Sequence, residues 1–127
     1  MKLRTPLSNV RGLGSAKEGT HHWWMQRLTA IALIPLSLWF IVAVLCVVSS
    51  SYAEAITWID SPINSTLLII LSAALFYHSQ LGVQVVVEDY VHSEWLKMGA
   101  LILLRFVTVL LATACVISVL RIAFGAL

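Results

Sequence analysis

Between Leu28 and Val48, and again between Ile63 and Val87, the chain runs without a single Asp, Glu, Lys or Arg. No other feature limits its folds so sharply. On an α-helix at about 1.5 Å per residue, each run covers roughly 30 Å or more, the thickness of a bilayer's hydrocarbon core. A third stretch, residues 99–124, carries Arg105 and Arg121 but is otherwise equally apolar. Soluble domains have about a quarter of their residues charged; here the share is 11%, against 60% hydrophobic, and the charges gather between the apolar runs. The reading is an all-α membrane protein with a single domain, residues 1–127. It has a basic tail and interfacial segment over 1–27 and transmembrane helices over 28–48, 63–88 and 99–124.

The segments between the runs set the orientation. Residues 1–19 carry Lys2, Arg4, Arg11 and Lys17, with Pro6, Gly12 and Gly14 against a regular helix. This stretch is too polar for a cleavable signal peptide, so insertion is expected to rely on the first membrane helix. His21 to Arg27 reads as an interfacial passage ahead of that helix, with Trp23 and Trp24 in the headgroup layer. Pro35 predicts a modest kink inside the first span. The loop 49–62 contains Glu54 and Asp60 but no Lys or Arg. Within it, Tyr52 and Trp58 suit the aromatic belt, Ala53–Ile59 suits a short surface helix, and Ser61-Pro62 opens the next helix. The positive-inside bias places the N-terminus in the bacterial cytoplasm or mitochondrial matrix, and Asp89-Tyr90 on that same face.

Several function classes find no support. Cys46 and Cys115 lie inside apolar spans without ligand spacing and read as small buried hydrophobes. The basic residues are scattered and form no nucleic-acid motif. No Ser/His/Asp set, phosphate loop or zinc spacing points to self-contained hydrolysis.

One constellation carries chemistry. On a helix, His78, Gly82, Val85 and Asp89 fall at i, i+4, i+7 and i+11, a single stripe. If Glu88-Asp89-Tyr90 marks the membrane surface, His78 lies about 16 Å deeper, near the bilayer midplane. Lipid cannot satisfy an imidazole there, so the ring should face protein, water or a metal. Gly82 removes the side chain that would crowd a flat macrocycle held by His78, which suggests a haem iron ligand. The same residues also suit a His hydrogen-bonded to a neighbouring helix with Gly82 as a packing notch. The residues leave both readings open. Three spans with one deep His cannot enclose a six-coordinate haem alone, so a second ligand would come from another chain.

His78, Gly82 and Asp89-Tyr90, together with the upstream segment Gly19-Thr-His21-His-Trp-Trp-Met-Gln-Arg27-Leu-Thr-Ala-Ile31, resemble the small membrane-anchor subunit of succinate dehydrogenase, respiratory complex II. The two motifs and three spans cover most of the chain. The resemblance implies three transmembrane helices forming part of a heteromeric helix bundle. It implies that His78 is one axial ligand of a haem b whose other ligand comes from a larger cytochrome b anchor subunit. It carries Arg27 and His21 to the neighbourhood of the haem propionates, with His22 a competitor for the second place. Arg27 also suits a snorkelling topology charge. The resemblance carries Tyr90 onto a ubiquinone-binding tyrosine and Asp89 onto its acidic neighbour; without it, both suit a solvated helix end.

Further implications concern setting and partners. The iron–sulfur and flavoprotein subunits would dock on the positive face, with the tail either against the iron–sulfur subunit or serving only as a disordered topology signal. The chain would sit in the bacterial inner or mitochondrial inner membrane and serve electron transport and the tricarboxylic acid cycle. Succinate oxidation itself would lie elsewhere in the complex. Two alternatives remain: a fumarate reductase anchor, and a cofactor-free structural or assembly membrane protein. Among the other polar residues, Arg105 is expected about a turn and a half inside the third span, within reach of Asp89 or Glu88. His92, Glu94 and Lys97 read as a solvated connector over 89–98, Gln80 and Gln84 as residues facing partner helices, and Ser72-Ala73-Ala74 as a thin surface for close approach.

Overall fold

A computed structural model describes residues 17–125. The expectations for the tail before Lys17 lie outside these residues. Among them are α1 (Lys17–Val47), α2 (Tyr52–Asp60), α3 (Pro62–Tyr90) and α4 (Glu94–Ala123), with no strand. Three of the helices, α1, α3 and α4, are long and apolar enough to cross a membrane.

The helices outrun the apolar stretches that announce them. The segment His21–Arg27, expected as a passage ahead of the first helix, is the opening of α1 itself. α4 starts at Glu94 rather than at Gly99, which shrinks the connector after Tyr90 to residues 91–93. His92 lies in that connector, but Glu94 and Lys97 are helical. The physical reason is that hydropathy marks where lipid begins, whereas a helix continues into the headgroup layer as long as its backbone stays paired. α1 also continues through Pro35 without a break.

The short helix after α1 owes its place to identifiable contacts. Ser51 caps α2: its hydroxyl accepts from the Glu54 N–H while the Ser51 N–H donates to Glu54 Oε2 at 2.7 Å. That capping box satisfies two backbone donors that a bare helix start would leave open. Those contacts, the backbone N–H first and the hydroxyl second, hold the Glu54 carboxyl below its usual pKa. Trp58 of α2 stacks on Trp39 of α1 with centroids 5.8 Å apart and planes at 23°. Asn64 Nδ2 donates to Trp58 O at 2.7 Å and ties α2 to the start of α3, where Pro62 occupies the first turn.

α3 is the middle element, packed against α1 on one side and α4 on the other, while the backbones of α1 and α4 stay apart. Little is enclosed between them. Ala43, Leu71 and Leu81 are the buried apolar residues, joined by the polar Thr29 and Ser65. Large side chains such as Ile31, Leu45, Phe106 and Leu110 are more than half exposed along both flanks. In a bilayer such flanks meet lipid tails or further helices.

Candidate functional site

A cluster of buried polar side chains lies where α1 crosses α3. Thr29 is only 9% exposed, and its Oγ1 lies 2.9 Å from His78 Nδ1. One turn earlier on α1, Gln26 Nε2 stands 3.5 Å from His78 Nε2. The same amide nitrogen would be 3.6 Å from a Cβ built on Gly82. Residue numbers thus fall along α1 as they rise along α3, so the two helices are antiparallel and the His78–Gly82 line faces α1.

His78 is half-buried and turned to protein rather than to lipid. Its two nitrogens are in different states. Nδ1 has a close hydroxyl, whereas the contact of Nε2 with Gln26 is at the outer limit of a hydrogen bond. Gln26 Oε1 and His22 Nε2 are both buried without a hydrogen-bond partner. His22, Gln26 and Thr29 occupy i, i+4 and i+7 of α1, a polar stripe along one face of an otherwise apolar helix. Buried polar atoms left open in this way cost free energy unless something further meets them.

This set fits a haem held from one side. Holding a haem iron would ask one nitrogen lone pair, and His78 Nε2 has only the 3.5 Å contact with Gln26 beside it. A flat ring beside the helix asks for room, and Gly82 presents no side chain there. Gln26, a flexible amide, is the group lying across that space. Among the described residues no cluster of three or more His, Cys, Asp or Glu side chains forms a self-sufficient metal site.

The other residues singled out from the sequence are dispersed. His21 and Arg27, six positions apart, point to different faces of α1, both away from the His22–Gln26–Thr29 stripe. Both are exposed, and the Arg27 guanidinium lies over the Trp23 ring at 5.5 Å. Such a cation–π contact holds the charge against an indole at the membrane surface. Tyr90 ends α3 and is 77% exposed, with Asp89 exposed beside it. They stand at the same end of the bundle as the start of α1. Glu88 accepts from Gln84 Nε2 at 2.8 Å.

Arg105 lies three turns into α4, whose first turn precedes the apolar stretch. It makes no ion pair with Asp89 or Glu88; among the described residues the ion pair is Lys97–Glu94, at 3.8 Å, with the Glu94 side chain exposed. Arg105 instead borders a groove of about 450 Å³ with Gln80 and Gln84, between α3 and α4. Gln80 and Gln84 therefore face α4, on the opposite side of α3 from His78. Ser72 Oγ reaches Cys115 Sγ at 3.6 Å, so the small residues before His78 do mark a close approach, to α4.

Gln26 and Thr29 were not singled out by the sequence reading. The stripe His22–Gln26–Thr29 was visible as a spacing, but only to a reading that carries the helix back through the interfacial segment.

Comparison with known proteins completes the picture. Residues 1–112 match the family described as succinate dehydrogenase/fumarate reductase transmembrane subunit. The chain is 35% identical over 117 residues to the succinate dehydrogenase hydrophobic membrane anchor subunit of Rickettsia bellii, spanning 92% of this chain and 94% of that protein. It is 31% identical over 96 residues to the succinate dehydrogenase membrane anchor subunit of Reclinomonas americana, spanning 73% and 80%. Against the hydrophobic membrane anchor subunit of Paracoccus denitrificans the identity is 26% over 127 residues, spanning 100% and 98%.

Proposed function

The chain belongs to the succinate dehydrogenase/fumarate reductase transmembrane-subunit family, and on that premise we propose that it anchors a succinate dehydrogenase, contributes one axial ligand to a shared haem b and forms part of the ubiquinone-reduction site. The observation that carries the haem reading is the asymmetry of His78. Its Nδ1 is tied to Thr29, its Nε2 is weakly held, and Gly82 leaves space one turn away. A haem bound there supplies a one-electron carrier within the membrane. His78 would hold the iron through its Nε2 lone pair, with the second ligand supplied by a cytochrome b anchor chain. The exposed apolar flanks of α1 and α4 supply surface for that chain and for lipid.

The exposed Arg27 and His21, at the same end of α1, are the donors offered to carboxylates of that group from this chain, with His22 nearer the His78 line. At that same end Tyr90 donates its phenolic hydrogen to a quinone carbonyl, and Asp89 orients it or passes protons from the aqueous side. The iron–sulfur and flavoprotein subunits dock on this face, which is the cytoplasm or matrix by the charge bias of the chain. The membrane is the bacterial inner or mitochondrial inner membrane. Succinate oxidation belongs to those soluble subunits.

The test is to purify the chain with its native partners. A red complex with a low-spin haem spectrum that His78→Ala abolishes is expected. A spectrum unchanged by His78→Ala would overturn the ligand assignment, and a pigment-free complex would favour a cofactor-free anchor. Preference for ubiquinone over menaquinol separates this reading from a fumarate reductase anchor.

A further inference from the structure

We propose that Thr29 is a positioning residue for His78: its hydroxyl holds the imidazole in the tautomer that carries hydrogen on Nδ1, so that Nε2 presents a bare lone pair. The inference rests on the haem reading above and goes beyond it, because it names what prepares the ligand.

One hydrogen decides the tautomer. A threonine hydroxyl has a single hydrogen to donate and two lone pairs with which to accept. Thr29 Oγ1 lies 2.8 Å from Met25 O and 3.1 Å from Gln26 O, both on its own helix. Carbonyl oxygens only accept, so the hydroxyl hydrogen is committed to them, the usual behaviour of a threonine inside a helix. What Thr29 turns toward His78 Nδ1 at 2.9 Å is therefore a lone pair. The ring must supply the hydrogen of that bond. In a neutral imidazole the other nitrogen is then unprotonated, which is the form that binds a metal.

The opposite arrangement fails on the same distances. Were Thr29 to donate to Nδ1, its oxygen would face two carbonyl oxygens at 2.8 and 3.1 Å with no hydrogen between them. Thr29 is buried, so no solvent molecule relieves that contact. The Nδ1–H···O bond also fixes the ring's rotation and makes the imidazole a somewhat better donor through Nε2.

The experiment uses the assembled complex with its partner subunits. Thr29→Val keeps the shape and Thr29→Ala relaxes it, while both remove the hydroxyl; Thr29→Ser keeps it. Expected in both hydroxyl-free variants are a midpoint potential shifted upward, an altered low-spin EPR signature and haem retention lowered by about 10-fold or more. Thr29→Ser should restore the wild-type potential and signature. Should Thr29→Val fail to assemble, Thr29→Ala carries the comparison. If both assembled variants keep the wild-type potential and signature while His78→Ala loses the haem, Thr29 has no such role and the ligand assignment stands. If His78→Ala leaves the haem unchanged, the ligand reading has failed and this inference with it.

Discussion

Gln26 stands 3.6 Å from the point a Cβ on Gly82 would occupy, an ordinary contact and not a clash. Among the described residues nothing therefore requires glycine at that position. Glycine in a helix interior costs roughly 1 kcal/mol relative to alanine, so a packing role and a haem-facing role predict opposite effects of a methyl at this position.

Gly82→Ala separates the two explanations of the notch. If it served only the packing of α1 on α3, alanine would fit, and the change would be neutral or stabilising by about 0.5–1 kcal/mol. With a haem lying against α3, the added methyl intrudes on the ring instead. The expected outcome is normal assembly of the anchor chains, judged by co-purification, with haem per complex reduced severalfold. Gly82→Val should reduce it further. Unchanged haem in both variants would make Gly82 a packing residue and nothing more.

The spans and the chemistry were legible in the sequence to different depths. Uncharged runs of about 30 Å announce helices because only a helix satisfies its backbone groups in lipid within a single segment, and the stripe from His78 to Asp89 follows from helical spacing. Thr29 and Gln26 stay hidden in the sequence because apolarity marks the first span from Leu28, where lipid contact begins, while α1 begins at Lys17. Starting there, His22, Gln26 and Thr29 align as one polar face. The start of α4 at Glu94 rather than Gly99 has the same cause. Which helix His78 faces is a tertiary fact; its own stripe is equally compatible with a partner chain.

Trp39 and Trp58 offer a test of how α2 is held. Their stack joins α2 to α1, and aromatic pairs contribute about 0.5–1.5 kcal/mol beyond their buried area. Trp39→Leu and Trp58→Leu should each loosen α2, seen as faster amide exchange over Tyr52–Asp60, while the spans keep their protection. In a double-mutant cycle the two changes should couple by about 1 kcal/mol. Additive effects would mean that each indole serves lipid rather than the other.

The capping box of α2 makes its order depend on pH. Glu54 has its pKa lowered by the Ser51 N–H and hydroxyl, so the ionised form is favoured in the capped helix. A depressed folded pKa gives a contribution present above the unfolded value and lost as pH falls through the folded one. Amide exchange in α2, corrected for its intrinsic pH dependence, should therefore accelerate below the ordinary glutamate range and stay flat from there to neutrality. Glu54→Gln should remove that dependence, and Ser51→Ala should weaken the cap at every pH. An α2 equally protected across the acid range would show that the Trp58 and Asn64 contacts alone hold it.

Tyr90 is the residue where a merely structural role and a quinone role diverge most cleanly. It is 77% exposed at the end of α3 and supports no packing that its ring alone would not provide. Tyr90→Phe keeps the ring and removes one hydrogen-bond donor. If that donor meets a quinone oxygen on which charge develops, its loss is worth about 1.5–3 kcal/mol, or roughly 10- to 100-fold. Succinate–ubiquinone reductase activity of the assembled complex should fall by that factor, while succinate oxidation by an artificial dye at the soluble subunits stays at the wild-type level. Asp89→Asn should lower the quinone activity less and shift its pH profile, since the amide still orients the phenol but relays no proton. Equal loss of the dye and quinone activities would assign Tyr90 to docking of the soluble subunits, and no loss of either would leave it as an aromatic anchor at the membrane surface.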